Sequence, residues 1–260
     1  MYPISKILLT TAFSALVLSA CISEDSDVSK PANANEVAAG AKVEQLADKN
    51  SAETVVTESA TPVAVEEAPP VRPTFVEGQH YQVLSTELPT IAPAGQVEVA
   101  ELFWYGCPHC YHLEPSMKAY IKEKAANVFF RQIPATLNPN WTVQAKAYYI
   151  GQILDSDGAK NIHDAIFAAI HEQRRKLNDD AAMERFFVSQ GFTEEAVKQA
   201  AASMEVQAQV KTATDYSNVS KATGVPTLIV AGKYLTSPTM AQGSAKLKRL
   251  LKFLAEKASK

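Results

Sequence analysis

Two of the three cysteines in this 260-residue chain stand only two residues apart, in the stretch ELFWYGCPHCYH that begins at Glu101. The pair, Cys107 and Cys110, falls where one periodicity gives way to another. Residues 96–105 are dense in β-formers and read as a buried central strand closed by Gly106. Residues 107–124 read as a helix with Leu113, Met117, Tyr120 and Ile121 on one stripe, and Pro115 inside it is expected to bend it. Cys107 therefore occupies a helix N-terminus, where unpaired N–H groups and the macrodipole favour an anion. Pro108 suits the first helical position because it has no N–H to leave unpaired. His109 adds an imidazole donor. All three effects stabilise a thiolate on Cys107, whereas Cys110, one turn further in, should be covered and much less reactive.

The rest of the body reads as mixed α/β. Residues 128–133, VFFRQI, form a second strand stopped by Pro134, and 227–230 with 233–235 form a hairpin about Ala231-Gly232. The last helix carries Leu247, Leu250, Leu251 and Leu254 at core-facing spacing. Between about 139 and 215 the pattern is helical throughout. Ile162, Ile166 and Ile170 share a face, acids at Asp179 and Asp180 open one helix, Gly191 closes it, and Thr193 opens the next. This order describes an α/β domain at 78–138 and 206–260 interrupted by an all-helical insert at 139–205.

The N-terminal part differs in kind. In residues 1–20 Lys6 precedes an apolar run at 7–18 and then small residues, the order of a secretory signal and too short for a comfortable membrane span. Leu18-Ser19-Ala20-Cys21 resembles a bacterial lipobox, which makes Cys21 the lipidated first residue of the mature chain and places it on a membrane. Residues 22–77 hold eleven acids against four bases, five prolines and no Trp, Tyr or Cys, and read with Cys21 as a lipid-anchored, disordered acidic tether at 21–77. With a whole-chain charge of −3, the body from 78 onward carries +3. That offers no footprint for nucleic acid, and 47% hydrophobic residues exclude a chain disordered end to end.

The motifs carry a resemblance. Phe103 through Cys110 with Tyr111, Glu114 and Pro115, and Thr223-Gly224-Val225-Pro226-Thr227 with Gly232-Lys233-Tyr234, resemble the two landmarks of the DsbA family of periplasmic thiol:disulfide oxidoreductases. With the lipobox the chain is similar to the membrane-anchored lipoprotein form. The resemblance implies a thioredoxin-like fold with a helical insert and a redox-active Cys107–Cys110 disulfide in place of any cofactor. It also implies a cis bond before Pro226 that turns the Val225 backbone toward Cys107 to dock a peptide strand. The implied partners are reduced secreted proteins and a quinone-linked membrane oxidase of the DsbB type. The implied location is the periplasm, lipid-anchored to an inner or outer membrane.

Strand parity marks two anomalies. Glu101 alternates with Val97, Val99 and Phe103, and Arg131 with Phe129 and Ile133, so each places a charge on an apolar face. The expectation is that the two meet beneath the cysteines and that Glu101 relays the Cys110 proton. The family has a buried acid six residues before its first cysteine, where Glu101 stands. Phe103, Trp104 and Tyr105 read equally as groove lining or core, His112 as an exposed helix residue, and His80, His163 and His171 as ordinary.

Other chemistries fit less well. A zinc module built on Cys107, Cys110 and the nearby histidines lacks a second cysteine pair, and His109 lies inside the loop, so no metal is expected. A c-type haem site needs His after the second cysteine, where Tyr111 stands. A reductase or isomerase on the same fold is the nearest rival. Isomerases of this kind dimerise through an added domain, and the disordered extension here argues for a monomer.

Overall fold

The structure, a computed structural model, describes residues 74–260. The signal segment, Cys21 and the tether up to residue 73 lie outside the described residues. In chain order the elements are β1 (Gln82–Val83), β2 (Val97–Phe103), α1 (Pro108–Glu123), β3 (Val128–Pro134) and a 3-10 turn (Pro139–Trp141). There follow α2 (Thr142–Leu154), α3 (Ile162–His171), α4 (Asp180–Ser189), α5 (Glu194–Ala202) and α6 (Met204–Val219). The chain closes with β4 (Thr227–Val230), β5 (Tyr234–Thr236) and α7 (Ser244–Ala258). The five strands form one sheet in the order β1-β5-β4-β2-β3. β2 and β3 run parallel, joined across α1, and the other pairs are antiparallel.

Local chemistry accounts for the boundaries. Asp179, Thr193 and Ser203 cap α4, α5 and α6 by accepting from the N–H of Ala182, Ala196 and Val206. α1 continues past Pro115 to Glu123, with only the carbonyl of Tyr111 deprived of its usual donor. At the hairpin, Ala231 and Gly232 have φ of +54° and +64°, the geometry that matches the twist of paired strands. A Cβ on Gly232 would lie 2.2 Å from the carbonyl oxygen of Leu88, so glycine is required there.

Every residue of β2 is buried, because the sheet is covered on both faces. Val97, Val99, Leu228 and Val230 pack with Leu113 and Met117 of α1 and Leu247 and Leu250 of α7. On the opposite side Ala100, Leu102 and Ile229 meet the helical block through Ile150, Ile166, Phe167 and Phe187. α6 runs unbroken through the boundary at 205–206. Its later half is tied to the exit of β3 by Ser217 Oγ, which accepts from the Thr136 N–H at 3.1 Å. Phe75 packs its ring 5.4 Å from Phe253 of α7, so the chain already engages the body ahead of residue 78.

One expected pairing is corrected here. Arg131 does not meet Glu101. It pairs with Glu98 at 2.9 Å, and its guanidinium lies 5.1 Å from the Tyr216 ring centroid. The parallel register sets Arg131 opposite Ala100 and Gln132 opposite Glu101. Arg131 therefore shares a face with Glu98, two residues back, while Glu101 points to the other face. Strand parity had fixed each alternation but not which parity of one strand matches which of the next. Glu98 is 1% exposed, and its second oxygen accepts from the Ile91 N–H at 2.7 Å. Arg131→Met leaves that carboxylate buried without its cation and is expected to cost about 3 kcal/mol, read as a lower urea midpoint. Converting Glu98 to Leu in the same chain should recover much of the loss.

Candidate active site

The cysteines sit where β2 ends and α1 begins, at the edge of both cores. Cys107 is the N-cap of α1 in an extended conformation, with Pro108 at the first helical position. The approach is rigid. A Cβ on Gly106 would fall 2.2 Å from the Trp104 ring, so only glycine lets the indole fold back over the turn. Trp104 stacks on Trp141 at 4.3 Å with 6° between planes. Phe103 and Tyr105 are core residues, 0% and 1% exposed, and neither lines the groove beside the cysteines. His112 is exposed.

Both cysteines are free thiols here, the reduced form. Cys107 has its pKa lowered from 9.0 to about 6. The largest cause is a hydrogen bond from the Cys110 thiol, followed by the backbone N–H groups of Cys110 and His109 and the charge of His109, all acting against partial desolvation. The helix N-terminus and His109 contribute as their positions imply, but the strongest donor is the second cysteine. Cys110 is 0% exposed, and its thiol is pushed far up by burial and then by the neighbouring Cys107 thiolate. One sulfur is thus built to be an anion and the other to keep its proton.

The second landmark comes to the same place. The Val225–Pro226 bond is cis, and the Val225 carbonyl oxygen lies 3.4 Å from Cys107 Sγ, accepting from the thiol when protonated. Thr227 Oγ1 donates to the Gly224 carbonyl at 2.7 Å and braces this loop. Val225 precedes the paired part of β4, so its backbone groups are outside the ladder. A groove of about 640 Å³ runs beside the site, lined by His109, His112, Val225, Pro226, Thr227 and Met240 among others.

Behind the cysteines lies a buried polar chain, of which sequence reasoning identified only the first member. Glu101 is 0% exposed, and desolvation, then the charge of Glu114, raises its pKa from 4.5 to about 8. Gln132 Nε2 donates to Glu101 Oε2 at 3.2 Å and to Glu114 Oε1 at 3.0 Å. His163 Nε2 lies 3.3 Å from that same Glu114 oxygen, and its Nδ1 is 2.9 Å from the Tyr105 hydroxyl. Nor is His171 merely ordinary, since its Nε2 lies 2.7 Å from the Tyr105 carbonyl and its ring stacks on Tyr111 at 4.8 Å. Glu114 carried a signal, being a carboxylate one turn after Cys110 on the same helix face. The histidines carried none, because only tertiary packing brings residues 163 and 171 to residue 105.

Glu114, His163 and Asp164 place ligand atoms within 4.8 Å of one another. Asp164 is, however, engaged by Lys118 and Asn161, and Glu114 by Gln132, so both carboxylates already have partners.

An N-capping cysteine with a lowered pKa, a covered second cysteine and a cis-proline loop against the first sulfur define a thioredoxin-fold dithiol/disulfide site. Comparison with known proteins gives the narrower class. Residues 98–255 match the family model of the DSBA-like thioredoxin domain. The chain is 33% identical over 190 residues to the thiol:disulfide interchange protein DsbA of Burkholderia cepacia, covering 73% of this chain and 88% of that one. It is 34% identical over 184 residues to the DsbA of Pseudomonas aeruginosa, covering 70% and 85%. The crystal structure of Pseudomonas aeruginosa DsbA superimposes with a TM-score of 0.65 at 33% identity, covering 71% of this chain and 94% of that one. The oxidoreductase DsbA from Xylella fastidiosa gives 0.63 at 27%, covering 72% and 98%. The chain belongs to the DsbA family, and its fold is the thioredoxin-like one with helices inserted.

Proposed function

We propose that the oxidised protein donates its Cys107–Cys110 disulfide to reduced, folding proteins outside the cytoplasm. The carrying observation is the opposed state of the two thiols, with Cys107 lowered to about 6 and Cys110 raised by burial. A substrate thiolate attacks Cys107 Sγ, and the bond to Cys110 breaks. Cys110 leaves with the electron pair and takes a proton, for which Glu101, with a pKa of about 8, is the adjacent donor at neutral pH. A second substrate thiolate attacks the substrate sulfur of the mixed disulfide and expels Cys107. The low pKa makes Cys107 a good leaving group, so release is fast and the product is the favoured reduced enzyme. Val225 and Pro226 hold the substrate main chain beside Cys107, while Pro108 and His109 set the N-terminal turn and its charge. No cofactor beyond the disulfide takes part. A quinone-linked membrane oxidase of the DsbB type restores the disulfide, and the protein works as a monomer in the periplasm, held to a membrane through lipid on Cys21.

The test is transfer to a reduced two-cysteine peptide at pH 7. Donation predicts that the peptide is oxidised nearly to completion by one equivalent of oxidised protein. A reductase would instead leave the peptide reduced and keep its own bridge. In the same assay Glu101→Gln is expected to slow the first exchange by about 100-fold or more, the lower end of the usual span of a lost general acid. The Cys107 titration should stay in place. An unchanged rate would remove Glu101 from the proton step.

A further inference from the structure

The positive charge of the body is gathered on one element. From residue 244 to the C-terminus there are six bases and one acid, whereas residues 78–243 carry a net −2. Four leucines turn α7 into the sheet, and Arg249, Lys252, Lys257 and Lys260 remain exposed. Between α7 and the end of α1 lies a groove of about 840 Å³, larger than the one beside the cysteines. Lys124, Lys248, Arg249, Lys252 and Lys260 line it against two acids, Glu123, which pairs with Lys248 at 2.9 Å, and Glu256, 4.0 Å from Lys252, so the rim is basic on balance, and its floor includes Ala255, Val128 and Tyr120. Tyr120 is 5% exposed, and its hydroxyl is buried with no partner among the described residues. A basic rim over an apolar floor with an unused hydroxyl suits a ligand that is anionic at one end and apolar at the other.

We infer that this face rests on an anionic phospholipid bilayer, with headgroup phosphates on the α7 bases and the glycerol region against the groove floor. The choice of a bilayer over another anionic partner rests on the lipid anchor proposed above. The 53 residues between Cys21 and Phe75 could span up to roughly 180 Å if extended, so the anchor alone imposes no orientation. The basic face would supply one. α1 is 16 residues long, about 24 Å, with Cys107 at one end and the groove at the other. A molecule seated on this groove therefore presents its cysteines away from the membrane, toward soluble substrates.

The experiment uses the full chain carrying Cys21→Ser, so that no acylation contributes. Co-sedimentation is measured with vesicles of phosphatidylcholine alone and of phosphatidylcholine with 30% phosphatidylglycerol. Stronger binding to the anionic vesicles is expected, weakening as salt rises. Adding Arg249→Gln and Lys252→Gln should weaken it about 30-fold, the effect of removing two bases from an anionic surface. Both side chains are exposed and distant from the cysteines, so oxidation of a soluble peptide by this variant should be unchanged, which also shows that it folds. Equal binding to both vesicles, or no loss in the double variant, overturns the proposal. So does polyglutamate binding as tightly as the anionic vesicles, which would make the face a general polyanion site. The anchor is read separately, from the mass of the wild-type chain made in a Gram-negative host. An unacylated wild type with intact vesicle binding would refute the anchor and leave the docking face standing.

Discussion

A Cys110→Ser protein will react with a one-cysteine peptide held in disulfide linkage to a small thiol, expel that thiol and stop, accumulating a mixed disulfide through Cys107, while Cys107→Ser will form none. The asymmetry follows from position. Cys107 lies at the mouth, 7% exposed, against the Val225 carbonyl and beside the groove, whereas Cys110 is fully buried. At pH 7 a Cys107 with a pKa of about 6 is mostly thiolate, so the first exchange does not need Cys110 to donate a proton. Release from the trapped complex, however, needs a second thiol within reach, and serine cannot supply it. Steady-state disulfide transfer should fall by more than about 1,000-fold in both variants, given that each removes an obligatory sulfur. Mass spectrometry under non-reducing conditions separates them, with the adduct present only in Cys110→Ser. An adduct on Cys107→Ser would reverse the assigned order of attack. Because Cys110 is also the first hydrogen-bond donor to Cys107, the serine variant should keep part of the lowered pKa, its hydroxyl taking over the bond.

The reduced protein should gain stability over the oxidised one as pH rises from 6 to 9. Folded Cys107 has a pKa of about 6 against 9.0 unfolded, so between these values the unfolded chain binds more protons than the native one. Unfolding free energy therefore increases with pH, the contribution being complete above 9 and lost as pH falls through 6. Three pH units correspond to at most about 4 kcal/mol, reduced by solvent screening at the mouth of the site. Glu101 works the other way. Its pKa is raised to about 8, so its contribution is present below 4.5 and lost as pH climbs through 8. That loss is common to both redox forms and largely cancels when one melting curve is subtracted from the other. The difference in Tm should widen in favour of the reduced form by several degrees between pH 5.5 and 8.5. A flat difference would mean that the Cys107 anion is not specially held. His109→Leu should narrow the widening, because one of the charges lowering the Cys107 pKa is gone.

How far the sequence could be read depended on how local the determining physics was. The helix opening at Pro108, the caps at Asp179 and Thr193 and the hairpin at Ala231-Gly232 are set by neighbours a few residues away, and each stands where the pattern placed it, whereas the strand read over 96–105 stops two residues early, at Phe103. The functional centre was legible for the same reason, since Cys107, Pro108, His109 and Cys110 make their own environment from one helical turn. Glu101 was marked by being charged on an apolar strand face. What failed was pairing. Assigning Arg131 to Glu101 required knowing the register between β2 and β3, which places Gln132 there instead. The run from Glu101 through Gln132 and Glu114 toward His163 was not legible because its neighbours stand 18 to 49 residues apart in the sequence and on four different elements.

The aromatic run before Cys107 is gripped from outside its own sheet. Trp104 lies on Trp141, the Tyr105 hydroxyl meets His163, the Tyr105 carbonyl meets His171, and Phe103 and Tyr105 pack on Phe167. All of these clamps come from residues 141–171. A transplant of the four-residue redox turn onto a bare five-stranded scaffold would leave them behind, and the sulfur would sit on a swinging hinge. The inserted helices are therefore the vice that holds the tool at its working angle, and changes made in them should be felt as changes in reactivity at the Cys107 sulfur.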